Sequence, residues 1–239
     1  MQKHDQALAR LAGGLEDWLT GRQGLQATRQ LLDGVGRELR TPLALPKPIA
    51  ARVSQSESGL LQAVKAFTSE SAPDAEGQRA LFRQLNELTR NRAVAVLEWR
   101  SANNARLRAV AAKGSGRARY LAWEAGWLPL WKAEIDLTYR LQAHVLSGAQ
   151  GQSGGFVREL LGLQAKAGEV ATAKELQNLQ ELAVRRLTLL TRTAEQLDRL
   201  GRGESRGALT RVRRLNKEQT ELGKQLQDQR LATLSALAR

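Results

Sequence analysis

An all-α fold is what this 239-residue chain predicts, as an elongated antiparallel bundle of about six helices with coiled-coil-like heptad segments. Three observations carry that expectation. Leucine occurs 41 times against two isoleucines and eleven valines, which favours helix formers over the β-branched residues that suit strands. Apolar residues recur every seven positions in several stretches. Segments rich in Pro, Gly and Ser separate those stretches at bundle-like intervals.

The first stretch shows the period best, with Leu11, Trp18, Leu25, Leu32 and Leu39 on one seam and Leu8 and Leu15 beside it. Arg22, Arg29 and Gly36 then weaken the second seam position, and glycines 13, 14, 21, 24 and 34 each cost helix propensity of roughly 1 kcal/mol against Ala. A break near Gly21 is the natural expectation. Pro42, Pro46 and Pro48 force an extended connection before a second helix over about 48–68, whose apolar set is Ile49, Val53, Leu60, Leu61, Val64 and Phe67. After a Ser/Pro/Asp loop over 68–77, a third helix runs to about Lys113 on Leu81, Leu88, Ala95 and Ala102, flanked by Leu85 and Trp99, and stops at Lys113-Gly114-Ser115-Gly116.

A fourth helix over about 117–146 holds Trp123, Trp127, Trp131, Ile135 and Val145, with a kink or restart expected at Pro129. Beyond the 147–155 linker, Phe156, Leu160, Leu163, Ala167 and Val170 open a fifth helix that the apolar period carries through Leu187, Leu190 and Leu197 to Leu200. Val170–Leu187 has a faint look of a helix-turn-helix. No breaker separates Leu176 from Leu187, so one continuous helix is expected there. Gly201-Arg202-Gly203 ends it, and a last helix over about 204–238 repeats Val212, Leu215, Leu222 and Leu226. The whole chain is expected as one bundle domain, any sub-division falling near 113–117. The heptads make a homodimer an expectation as well.

The charge is concentrated. The formal net charge is +13. Residues 1–78 and 120–200 each hold nine basic and nine acidic side chains, whereas 79–119 hold ten basic against Glu87 and Glu98, and 201–239 hold nine against four. The excess therefore belongs to the third and last helices. Arg79, Arg83, Arg90 and Arg108 fall on one side of the third helix, away from its Leu stripe, with Arg100, Arg106 and Lys113 on the same segment. In the last helix Arg206, Arg213, Lys217 and Lys224 share a face opposite the apolar stripe, with Arg214 adjacent. Side by side, the two helices would form one electropositive strip suited to a phosphate backbone, with Asn103 and Asn104 adding hydrogen bonds to sugar or phosphate. A solvated basic surface without a ligand is the competing reading.

Trp123, Trp127 and Trp131, at i, i+4 and i+8, form a stripe that reads either as buried core or as a partner interface for a protein or an anionic membrane surface. Catalysis finds little support. No cysteine is present, so thiolate chemistry and disulfides are absent. His4 falls in a stretch expected to fray, His144 lacks a second ligand at metal spacing, and Glu134 and Asp136 face different sides of a helix. No phosphate-loop, metal or cofactor motif occurs, and no run is apolar enough to span a bilayer. Without an apolar signal segment near the start, the cytoplasm is the expected compartment. The expectation is a non-catalytic helical protein without cofactor that binds nucleic acid through its phosphates. The alternative is a structural or adaptor bundle docking through its Trp-bearing helix.

Overall fold

A computed structural model describes residues 2–68, 74–147, 153–202 and 207–237. All regular structure among them is helical: α1 Gln2–Leu19, α2 Leu25–Glu38, α3 Lys47–Phe67, α4 Ala75–Val110, α5 Gly116–Leu146, α6 Gly154–Gly168, a 3-10 turn Lys174–Leu176, α7 Gln177–Gly201 and α8 Ala208–Leu237. Residues 69–73 and 148–152, within the loops expected at 68–77 and 147–155, and residues 203–206, with Gly203 of the expected stop and Arg206 of the expected last helix, lie outside the described residues. The chain forms two compact units, 1–96 and 97–239, so the boundary falls inside α4.

Among the described residues, eight helices replace the expected six because two of the long heptad stretches are hairpins. The first breaks at Gly21, whose φ of 74° is left-handed and suits only glycine without strain. The amides of Arg22 and Gln23 then return to the carbonyl of Asp17 at 2.7 and 3.1 Å, closing the turn. α1 and α2 pack so closely that a Cβ on Gly14 would collide with Leu31. This glycine, read from sequence as a soft spot, is a point of contact. Ala7, Leu11, Leu15, Leu32 and Val35 meet Ala63, Val64 and Leu81 in the core of the first unit. The pairs Arg10–Glu38, Gly36–Leu61, Arg29–Thr68, Gly59–Leu88 and Glu57–Arg92 show an up-down-up-down order for α1, α2, α3 and the first part of α4. Arg29, expected only as a weak seam position, donates through Nε and Nη2 to the Thr68 carbonyl at 2.8 and 2.5 Å and so caps α3.

The second break overturns the expected continuous fifth helix. α6 stops at Gly168, and the chain crosses Glu169–Ala173 before helical structure resumes. Two tertiary contacts explain a break that periodicity did not show. Val170 seats against Gly126 of α5, where an added Cβ would stand 3.0 Å from Val170 Cγ1. Gln180 Nε2 donates to the Ala167 carbonyl at 2.7 Å, satisfying one of the carbonyls exposed where α6 ends. α6 and α7 then lie antiparallel, Gln164 on Thr191 and Gly154 near Asp198, rather than crossing as a helix-turn-helix would. α5 runs unbroken through Pro129, so the expected restart is absent. Arg140–Glu159 orders α5 against α6, Gln196–Arg211 orders α7 against α8, and Glu124–Arg230 with Gly116–Leu237 orders α5 against α8. The second unit is therefore a four-helix up-down bundle, joined along α5 by residues 97–110 of α4.

Its core settles the tryptophan stripe. Trp123, Trp127 and Trp131 are 1%, 0% and 7% exposed, packed with Leu160, Leu163, Leu179, Leu187 and Leu190. The partner-interface reading of these three residues is corrected: α6 and α7 already cover them. Their centroids lie 5.8–6.1 Å apart in tilted and edge geometries. Each takes about 200 Å² out of water, roughly 5 kcal/mol at about 25 cal/mol per Å². Gln180 Oε1 accepts both Trp123 Nε1 at 2.9 Å and Trp127 Nε1 at 2.7 Å, so neither indole donor is left for a partner. Replacing Gln180 with Leu strands two indole N–H groups and the Ala167 carbonyl, and is expected to cost about 2–4 kcal/mol. Urea unfolding of the full chain measures it, and a destabilisation under about 0.5 kcal/mol would contradict this role for the carboxamide.

Candidate polyanion interface

The arginines divide into those the fold consumes and those it leaves facing water. In the first unit Arg92 donates Nε to Glu57 at 2.8 Å and pairs with Asp5 at 2.8 Å. The same Glu57, 2% exposed, lies 2.8 Å from His4 Nδ1, while His4 Nε2 lies 3.0 Å from the Thr41 carbonyl. A carbonyl only accepts, so Nε2 donates to it. His4 is thus 2% exposed and clamped, not frayed. Both ring nitrogens of His4 are therefore engaged within the fold, Nδ1 by Glu57 and Nε2 by Thr41.

In the second unit, Glu124 is the hub. Its Oε1 accepts Arg100 Nη2 at 2.8 Å, Arg230 Nη2 at 2.9 Å and the Tyr120 hydroxyl at 3.3 Å, and its Oε2 accepts Asn104 Nδ2 at 2.9 Å. Both guanidinium carbons sit over Trp131, at 4.5 and 5.6 Å from its centroid. Burial raises the Glu124 carboxyl, but the charge and hydrogen bond of Arg100, with Asn104 and Arg230, outweigh it and hold the group below its ordinary value. Burial and the like charge of Arg230 in turn pull Arg100 down, against the pull of Glu124. Arg100 and Asn104, both expected at a phosphate surface, are therefore corrected to internal roles. Asn104 is 3% exposed and also donates to the Leu121 carbonyl at 3.0 Å.

The remaining cations are surface groups. Arg79 and Arg83 of α4 are exposed in the first unit, whereas Arg90 is half-buried and engaged within the fold. Arg106, Arg108 and Lys113 are exposed in the second, Arg106 reaching only Asn103 at 3.2 Å. On α8, Arg213, Arg214, Lys217 and Lys224 are all exposed. Arg214 has a loose pair with Glu218 at 3.6 Å and Lys224 one with Glu221 at 3.3 Å. Arg213 and Lys217 have no carboxylate in ion-pair range among the described residues. Arg213, Lys217 and Lys224 lie opposite the buried Leu215, Leu222 and Leu226.

The single strip expected from the two helices does not form within the second unit. Arg100 and Arg230 meet on Glu124, and α4 and α8 both run antiparallel to α5 there. Arg106 is six residues beyond Arg100 and Lys224 six residues before Arg230, which leaves them about 18 Å apart along the bundle axis. A row that segment charge concealed appears instead on α7. Arg185, Arg192 and Arg199 are exposed at seven-residue spacing, opposite the buried Ala183, Leu187, Leu190 and Ala194. Residues 120–200 are neutral in sum, yet Glu124, Glu134 and Asp198 are buried and committed to Arg100, Arg186 and Arg202. Part of the balancing negative charge is inside.

Among the described residues, no cluster of three or more His, Cys, Asp or Glu could hold a metal ion, and no helix is long and apolar enough to cross a membrane. No family model, curated protein or solved structure matches this chain.

Because the Glu124 carboxyl is held below its ordinary value, it stabilises the fold at neutral pH, and that contribution disappears as pH falls through its folded-state titration, below about 4.3. Glu124→Gln is expected to cost about 3 kcal/mol at pH 7 by leaving two mostly buried guanidiniums without a counter-charge. The variant should also flatten the acid limb of stability against pH. Chemical denaturation at pH 3 to 7 checks both, and an unchanged acid limb would show that other carboxylates govern it.

Proposed function

We propose that this protein is a non-catalytic helical protein that binds a polyanion, in the first place nucleic acid, through backbone phosphates with little sequence preference. The observation that carries this reading is the outward face of α8. Arg213 and Lys217 stand there exposed and without carboxylate partners among the described residues, while the buried Glu57, Glu124, Glu134 and Asp198 are taken by Arg92, Arg100, Arg230, Arg186 and Arg202. Cations that stabilise nothing internally are available to displace counterions from phosphates. Arginine suits the task because its planar fork takes phosphate in two hydrogen bonds. Lys224 lies on the same face of α8 with Arg214 beside it, and Arg185, Arg192 and Arg199 on α7 and Arg79, Arg83, Arg106, Arg108 and Lys113 on α4 and the linker after it are further exposed cations.

Fluorescence anisotropy of a labelled duplex, titrated at several salt concentrations, tests this. Neutralising Arg213, Lys217 and Lys224 together to Gln is expected to weaken binding equally on unrelated sequences and to reduce the salt slope by about 0.9 for each phosphate that is no longer neutralised. Exposed positions opposite the core should change stability by no more than about 0.5 kcal/mol, which separates weakened binding from a weakened fold. Unchanged affinity and slope would mean that this face is only a solvated surface.

A further inference from the structure

We infer that the nucleic acid bound by the outward cations of α7 and α8 is double-stranded, and that single strands of the same sequence bind them weakly; this rests on the polyanion reading above. The first reason is the aromatic content of the surface. Proteins that hold single strands combine a basic track with exposed aromatic rings on which bases stack, each ring contributing about 1–3 kcal/mol. α7 and α8, Gln177–Leu237, contain no Phe, Tyr or Trp. Elsewhere in the second unit Trp99 and Tyr139 are half-buried, on α4 and α5, and the other rings are turned to the core or engaged by neighbours. Tyr120, Trp123, Trp127 and Trp131 are buried, and the half-buried Phe156 lies between His144 and Arg140, each about 5.3 Å from its centroid. With no aromatic ring on either helix that carries these cations, an unpaired base has nothing on α7 or α8 to stack on.

The second reason is rigidity and charge density. Arg213, Lys217 and Lys224 span eleven residues of one helix, about 17 Å, and Arg185, Arg192 and Arg199 span fourteen residues of its neighbour, about 21 Å. The two helices are locked antiparallel by Leu189, Leu215 and Leu222, with Arg211 Nε donating to Gln196 at 2.7 Å. Cations set along straight helices match a straight, stiff ligand. A duplex presents one negative charge per about 1.7 Å of axis, twice the density of one strand, and does not have to be ordered on binding.

The test is anisotropy with a 20-base-pair DNA duplex and with each of its strands, at about 0.1 M salt where screening is near physiological. The expected result is duplex binding tighter by about tenfold or more, since salt slopes run near 0.9 per neutralised phosphate for duplex against 0.7 for single strands. A variant with Arg185, Arg192, Arg213 and Lys217 changed to Gln should abolish that preference while retaining its helical circular dichroism. Single strands bound as tightly as duplex, or more tightly, would overturn this inference and leave polyanion binding standing. Failure of both ligands to bind would overturn both.

Discussion

One carboxamide holds the larger unit in its observed arrangement. Gln180 accepts the indole protons of Trp123 and Trp127 and gives its own to the carbonyl of Ala167, so it ties α5, α6 and the start of α7 at one point. The stripe it serves is the largest apolar payload in the molecule. Trp123 and Trp127 could not be buried without an acceptor for their N–H groups, because an unsatisfied polar group in a dry core costs about 1–3 kcal/mol. By capping α6 at the same time, Gln180 helps turn the chain back on itself and set α7 beside α6. The α7 face that results carries Arg185, Arg192 and Arg199 outward.

The ion pairs follow a matching logic. Each unit has a central glutamate that draws helices together: Glu57 holds His4 and Arg92, and Glu124 holds Arg100, Asn104, Tyr120 and Arg230. Removing either charge would strand its buried partners, so these pairs specify which helices meet more than they add net stability. They also decide what is left for function. Arginines drawn into the hubs are withdrawn from any ligand, and the cations of α7 and α8 that find no such partner remain on the outside.

Helical class, the stripe at 123–131 and the outward set on α8 were legible because each depends on spacing along a single helix. A seven-residue period assigns a face without reference to any neighbour, and Arg213, Lys217 and Lys224 are exposed opposite Leu215, Leu222 and Leu226 as that period requires. Gly21 was legible as a break for an equally local reason. The break after Gly168 was not, since the apolar period runs across it and its causes, Gly126 and Gln180, lie 42 residues before it and 12 after. Likewise Arg100 and Arg106 look alike in a charge count, and only the position of Glu124 separates the buried one from the exposed one.

Composition and periodicity by themselves determined that this protein is helical, that it carries its excess charge on two segments, and which residues of α8 face away from its seam. Tertiary structure alone decided that the tryptophans are core, that His4 is clamped, and that the neutral stretch from 120 to 200 has an outward row of arginines. The physical reason is the range of the interactions concerned. Hydrophobic period and backbone propensity act within a few residues, whereas pairing a buried carboxylate or satisfying an indole N–H requires a group brought close from another helix.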